Sequence, residues 1–152
     1  PLMEEPFVAA VAKGTAEGAD LARLPLIRYT TRHYMGRAIA EHLARERLSP
    51  EDRFELDSYH AILAMVAAGA GWTILTPLGW LRAQRFREAV EMRPLPWRPF
   101  SRRISLAARA EALGEVPGHI ADLMRPLLRD LIVAPAVARH GWLEGHLRVV
   151  DR

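Results

Sequence analysis

The sequence contains no cysteine, which removes disulfides, thiolate metal sites and cysteine nucleophiles together. It is also nearly without lysine: of its 21 basic residues, Lys13 is the single lysine and the other 20 are arginines. Arginine keeps its proton at any working pH, so a formal net charge of only +3 is enough to carry the pI to about 9.9. The high pI is therefore no sign of a nucleic-acid surface. The arginines are interleaved with acids at Glu41, Glu46, Asp52, Glu88 and Asp122, and no basic stripe for DNA results. Long apolar runs are missing as well. None reaches the roughly 18 residues that a membrane-spanning helix requires, and a mean hydropathy of −0.04 agrees. Glu4 and Glu5 precede the first short apolar stretch, whereas a secretory leader starts basic and carries a longer apolar segment. The chain opens at Pro1 and reads as a segment of something longer.

What is present suffices for folding. With 152 residues, half hydrophobic and a quarter charged, the chain can bury a core as one domain or two small lobes. Phe7 to Val11, closed by Lys13-Gly14, predicts a buried strand, and the small, polar residues 14–24 suit a crossing linker. Leu26 to Tyr29 is the next strand, with Pro25 where a missing N–H is tolerated. Thr30 or Thr31 offers a hydroxyl to cap a helix beginning near Tyr34. That helix turns Ile39, Leu43 and Leu48 inward and Arg37, Glu41, Arg45 and Glu46 outward, and ends at Ser49-Pro50.

A third strand covers Phe54 to Leu56. Asp57 or Ser58 then caps a second helix with Ile62, Met65 and Val66 on one face, stopped at Gly69. Trp72 to Leu75 forms a fourth strand, followed by a short helix over Leu78 to Arg85. Residues 90–100, with Pro94, Pro96 and Pro99, read as an edge strand or second linker. Arg103 to Arg109 alternates as a strand. A long helix after Pro117 runs through Ile120, Leu123, Met124, Leu127, Leu128 and Leu131, with a kink or break expected at Pro126. Trp142 to Val150 fits helix or strand. The alternation predicts an α/β class with a mainly parallel sheet. Linkers near 13–24 and 94–101 bracket a middle block, as when one lobe is inserted in another. In such architectures ligands lie in the cleft, at strand C-termini and helix N-termini.

The strongest local candidate is the turn Tyr29-Thr30-Thr31-Arg32-His33. N–H groups at a helix start attract an anion, and Thr hydroxyls with an Arg add donors for a carboxylate; simple capping beside a solvated Arg explains the same residues. The turn Leu56-Asp57-Ser58-Tyr59-His60 has the same two readings, and Thr76 ends the fourth strand. His33, His42, His60, His119, His140 and His146 do not pair at metal-ligand spacing. No Gly-x-Ser-x-Gly elbow frames a nucleophile. Gly69-Ala70-Gly71 follows a helix and enters a strand, the reverse of a phosphate loop. Trp72, Trp80, Trp97 and Trp142 are too widely spaced to form a stacking platform with basic neighbours, and read as packing residues. Neither a catalytic centre, a metal nor a cofactor is expected.

The segments EPFVAAVA (5–12), LPLIRY (24–29), ELDS (55–58), MVAAGAGWTILTP (65–77) and ISLAARAEALGEVPGHI (104–120) resemble, in order and spacing, the effector-binding domain of LysR-type transcriptional regulators. The stretch Met65 to Pro77 is the most specific of them. The resemblance implies an α/β, periplasmic binding protein-like (type II) two-lobed fold. Residues 14–100 would form the second lobe, complete; residues 1–13 and 101–152 would form the returning, partial first lobe. It implies a small effector, a carboxylate or similar anion, between the lobes, met by Thr30, Thr31, His33, Ser58, His60 and Thr76. It further implies a cytoplasmic homo-oligomer, dimer or tetramer, paired through regulatory-domain faces. The helix from Gly36 to Leu48 and the long C-terminal helix are available for that pairing. Promoter DNA would be bound only through a winged helix-turn-helix that these 152 residues do not include. A transporter's solute-binding protein, an enzyme on the same fold and an inactive truncated regulator are the competing readings. An enzyme would need a reactive residue with a paired base in the cleft, and none is visible.

Overall fold

The structure, a computed structural model, describes residues 1–109 and 113–151. It comprises two compact units: Phe7–Phe100, and Pro1–Pro6 together with Ser101–Arg152. The chain passes from one to the other at Pro6–Phe7 and at Phe100–Ser101. Residues 13–24, expected to cross, instead lie inside the Phe7–Phe100 unit. Leu21 is buried there, Asp20 caps a 3-10 turn over Leu21–Arg23, and the Arg93 guanidinium donates to the carbonyls of Thr15 and of Ala16, the latter at 2.8 Å. Small polar residues mark a surface loop as readily as a linker.

The discontinuous unit contains β1 (Met3–Pro6). The Phe7–Phe100 unit holds β2 (Val8–Ala12), β3 (Leu26–Tyr29), α1 (Tyr34–Arg45), β4 (Asp52–Leu56), α2 (Tyr59–Ala67), β5 (Thr73–Leu75), α3 (Pro77–Arg82) and β6 (Val90–Arg93). β3 and β4 pair in parallel, with Tyr29 opposite Leu56. A parallel bridge between Leu26 and Trp72 places β5 on the other side of β3. β2 lies between β5 and β6 and runs antiparallel to both. The mainly parallel sheet expected from the sequence is thus corrected: among the described strands only β3 with β4 forms a parallel ladder. Both partners of β2 come from far along the chain, β5 after α2 and β6 after α3, and both run opposite to it.

β2 is buried along Val8 to Val11, so its two faces serve two layers. Phe7, Ala9 and Val11 share one cluster with Met35, Ile39 and Leu43 of α1 and with Leu26, Trp72 and Ile74. The i, i+4, i+8 spacing of the three α1 residues is what makes that packing possible. α2 buries Ile62, Leu63 and Val66. Each such side chain contributes about 1.5–3 kcal/mol on leaving water. Trp72 and Trp80 are also buried, and each indole N–H is satisfied by a carbonyl, that of Leu24 at 3.2 Å and of Val90 at 3.3 Å. Trp97 meets Trp72 with ring centroids 5.5 Å apart, so two of the widely spaced tryptophans do come together. At Gly71 an added Cβ would stand 2.2 Å from the Pro25 carbonyl oxygen. The close approach lets the Trp72 N–H donate to that oxygen at 3.0 Å, which is why only glycine fits.

In the other unit β1 runs between β7 (Ser101–Ile104) and β8 (Arg148–Val149), antiparallel to both. The strand expected over Arg103 to Arg109 therefore starts two residues earlier and stops at Ile104. Fully buried Glu5 is held by Arg102 at 2.6 Å, the pairing that allows a carboxylate inside. α4 (Val116–Leu128) continues through Pro126 into a π turn over Arg129–Val133 and then α5 (Ala134–Arg139). Rather than ending at the proline, the helix absorbs the donors lost at Pro126 and Pro135 in a wider turn between them. Of the segment 104–120 singled out in the sequence, residues 110–112 lie outside the described residues.

Candidate functional site

The register of β3 against β4 sets the geometry. Because Tyr29 is opposite Leu56, the two strands end side by side, and the Thr30 N–H donates to the Leu56 carbonyl at 2.8 Å. Each strand then turns directly into a helix, so α1 and α2 begin at neighbouring points. β5 runs parallel to β3, and its end at Thr76 lies on the same edge of the sheet. Tyr59, the first residue of α2, stacks on Tyr29 with ring centroids 5.0 Å apart. It also lies against α3, where a Cβ added at Gly79 would be 3.2 Å from the Tyr59 ring. The three helix starts are thus gathered around two tyrosines.

Gly36 permits the closest of these approaches. A Cβ there would fall 2.1 Å from the Thr30 carbonyl oxygen and 2.5 Å from that of Tyr29, so α1 rests directly on the backbone of the turn. The helix begins at Tyr34 as the sequence predicts, but its cap differs. Neither Thr30 nor Thr31 caps it: His33 occupies the N-cap position, and its side chain makes no capping hydrogen bond. Thr30 is buried, and its hydroxyl accepts from the backbone N–H of Arg32 at 3.4 Å and from the Arg32 Nε–H at 3.5 Å. Both bonds use the lone pairs of the hydroxyl to fold the turn locally, as Ser and Thr side chains often do, and the O–H proton is a separate donor. Thr31 is exposed; its carbonyl, like that of Arg32, accepts from the Arg37 guanidinium, at 3.4 and 3.1 Å. His33 is exposed with its ring 5.6 Å from Tyr29.

Of the two candidates for the second cap, Ser58 takes the position, accepting from the Ala61 N–H at 3.5 Å. His60 is exposed in the first turn of α2. Thr76 is buried and caps α3, accepting from the Gly79 N–H at 3.4 Å, with Pro77 following where a missing N–H costs nothing. Thr30, His33, Ser58 and Thr76 therefore share one edge of the sheet, with Thr31 and His60 outermost on the same turns. Tyr29 and Tyr59 were not singled out in the sequence. The signal was available: each tyrosine adjoins a turn residue that was, Thr30 in one case and Ser58 in the other.

The electrostatic balance of the edge is cationic. Neither α1 nor α2 has an acidic residue in its first turn, and Arg32 and Arg37 add full positive charges beside the positive end of the α1 dipole, against the carboxylate of Asp57 just before the Ser58 cap. Among the described residues no group of three His, Asp or Glu side chains is placed to hold a metal ion, and no helix is long and apolar enough to cross a membrane.

Comparison with known proteins points in one direction. Residues 1–129 match the family model of the LysR substrate binding domain. The regulatory domain of CcmR from Synechocystis PCC6803, in complex with 2-PG, superposes with a TM-score of 0.64 at 19% identity, covering 84% of this chain and 64% of that one. The apo regulatory domain of HypT from Salmonella typhimurium gives 0.56 at 18%, covering 83% and 64%. The effector binding domain of QuiR, in complex with shikimate, gives 0.54 at 15%, covering 67% and 50%. At these identities the likeness is one of fold, the periplasmic binding protein-like type II architecture, and this chain spans less than two thirds of each neighbour. No protein of curated function matches. The match over 129 of its 152 residues decides the matter: the chain belongs to the LysR substrate binding domain family.

Proposed function

We propose that this chain is the effector-sensing part of a LysR-type transcriptional regulator, and that the effector is a small anion, a carboxylate in the first instance. The observation that carries this reading is the meeting of the α1 and α2 N-termini on one sheet edge, with Arg32 and Arg37 at hand and no acid in either first turn. Backbone N–H groups, hydroxyls and guanidinium donors converging at a helix start favour a carboxylate or phosphate over a cation or a neutral ligand. Thr30, Thr31, His33, Ser58, His60 and Thr76 are the proposed contacts, with Tyr29 and Tyr59 holding their turns in place. The neighbours that carry 2-PG and shikimate support a small-molecule ligand, and the family match favours a regulator over a transporter's solute-binding protein. In the intact regulator the response would pass to a cytoplasmic homo-oligomer on promoter DNA, through a DNA-binding part outside this chain. The units serve sensing, not catalysis.

Calorimetric titration with a panel of small mono- and dicarboxylates tests the site. Thr30→Val and Ser58→Ala are expected to weaken the best binder about tenfold or more, the usual worth of a hydrogen bond to a charged group. Unchanged affinity in both variants removes these residues from the site.

A further inference from the structure

Phe7 and Phe100 are the first and last residues of the Phe7–Phe100 unit, and they are joined to each other. The Phe7 N–H donates to the Phe100 carbonyl at 2.9 Å, and the two rings stack 4.1 Å apart at an interplanar angle of 7°. A third ring completes the pile: His42, on the inward side of α1, lies 3.8 Å from Phe100 at 12°. His42 is only 3% exposed. Its Nε2 is buried with no hydrogen-bond partner among the described residues, while the imidazole hydrogen-bonds the Arg98 backbone, which leaves that contact to Nδ1. The same helix that begins at the Thr30 turn is therefore clamped, two turns on, to the points where the chain enters and leaves the unit.

We propose that the Phe7–Phe100–His42 stack is a pH-sensitive clasp, closed while His42 is neutral and opened when Nε2 takes a proton. A neutral imidazole with the unprotonated Nε2 facing apolar surroundings stacks on Phe100 without needing a partner for that atom. Protonation converts Nε2 into an N–H donor, and a buried donor without an acceptor is unfavourable. The imidazolium is also a full charge taken from water. The ring must then leave the stack or admit water. Either event releases Phe100 and with it the acceptor of the Phe7 N–H. Burial is the main influence on His42 and holds it below the usual histidine range; Arg45 on the same helix and Arg98 on the loop before Phe100 act in the same direction, and Glu46 and the Arg98 backbone contact oppose them. Apolar Phe7, between β1 and β2, faces this cluster from the other side.

Amide hydrogen exchange of the full chain, read by NMR from pH 7.5 to pH 5 and corrected for the intrinsic rate, tests the clasp. Protection of the Phe7 amide is expected to fall about tenfold per pH unit once the unit opens with the uptake of one proton, while the Ala10 amide in the middle of β2 stays protected. In His42→Phe, which keeps a stacking ring and cannot be protonated, Phe7 protection should become independent of pH. Should that variant not fold, the His42 ring resonances of the unmodified chain decide: they are expected to titrate below the usual histidine range, with loss of Phe7 protection following the same curve. Flat Phe7 protection in the unmodified chain, a pH-dependent loss that persists in His42→Phe, or His42 titrating within the usual histidine range would overturn the proposal.

Discussion

Replacing Gly36 by alanine probes the contact on which the candidate site is built. The new methyl would stand 2.1 Å from the Thr30 carbonyl oxygen and 2.5 Å from that of Tyr29. An ordinary carbon–oxygen contact is about 3.3–3.6 Å, so helix and turn must separate by about an ångström. Both obstacles are backbone atoms, and neither can rotate aside as a side chain would. The Thr30 carbonyl is further held by the His33 N–H at 3.2 Å. Overpacking of this kind costs about 3 kcal/mol at the upper end of its usual span, and the better helix propensity of alanine returns about 1 kcal/mol. The net loss of about 2 kcal/mol corresponds to a fall in Tm of about 4–8 °C for a chain of this size. Urea unfolding followed by tryptophan fluorescence should show a lower midpoint at unchanged slope. Gly18→Ala is the control: nothing lies within 4 Å of a Cβ there, and its midpoint should hold or rise slightly. A Gly36→Ala midpoint equal to or above the unmodified value would refute the close contact and with it the rigid turn.

Two further outcomes follow from the other unit. Arg102→Ala removes the guanidinium that meets fully buried Glu5 at 2.6 Å, and should lower stability by about 2–3 kcal/mol, somewhat under the cost of breaking a fully buried pair because Arg102 is itself partly exposed; a loss under about 0.5 kcal/mol, the level of a surface pair, would contradict the structure. The hydrogen bond from Arg148, helped by that from Ser101, holds the Glu4 carboxyl below its ordinary value of 4.5. Glu4 thus contributes stability that is present above that value and lost as pH falls through the lower folded-state pKa. The stability gap between the unmodified chain and Arg148→Gln should close as acid is added, and a gap constant with pH would refute the assignment.

How much the sequence disclosed depended on the range of the interactions involved. The Phe7–Val11 run, the inward spacing of Ile39 and Leu43, and the start of α1 at Tyr34 are local, and were legible; Met35 was not singled out, and Leu48, read as the last inward residue of the helix, lies past its end at Arg45. The direction of β2 was not, because Ala9 facing Ile74 on one side and Arg93 on the other is decided by residues more than sixty positions away. The Thr30 hydroxyl was misassigned for a different reason: Arg32, two residues on, offers it a nearer donor than the helix does. For the site, the turns themselves were visible, but not what joins them. Tyr29 and Tyr59 meet only because β3 and β4 are in a register that places Leu56 opposite Tyr29. Likewise, His42 read as one of six scattered histidines, and only the folded chain sets it on Phe100.

The central claim, that an anionic effector is held at the adjoining starts of α1 and α2, is tested most directly by mapping amide chemical-shift changes while a panel of small carboxylates is titrated into the isotope-labelled chain. At least one carboxylate should move the amides of residues 30–36 and 58–61 saturably and together, with the interior of β2 unmoved. Saturable shifts confined to other residues, or none from any carboxylate, would contradict it.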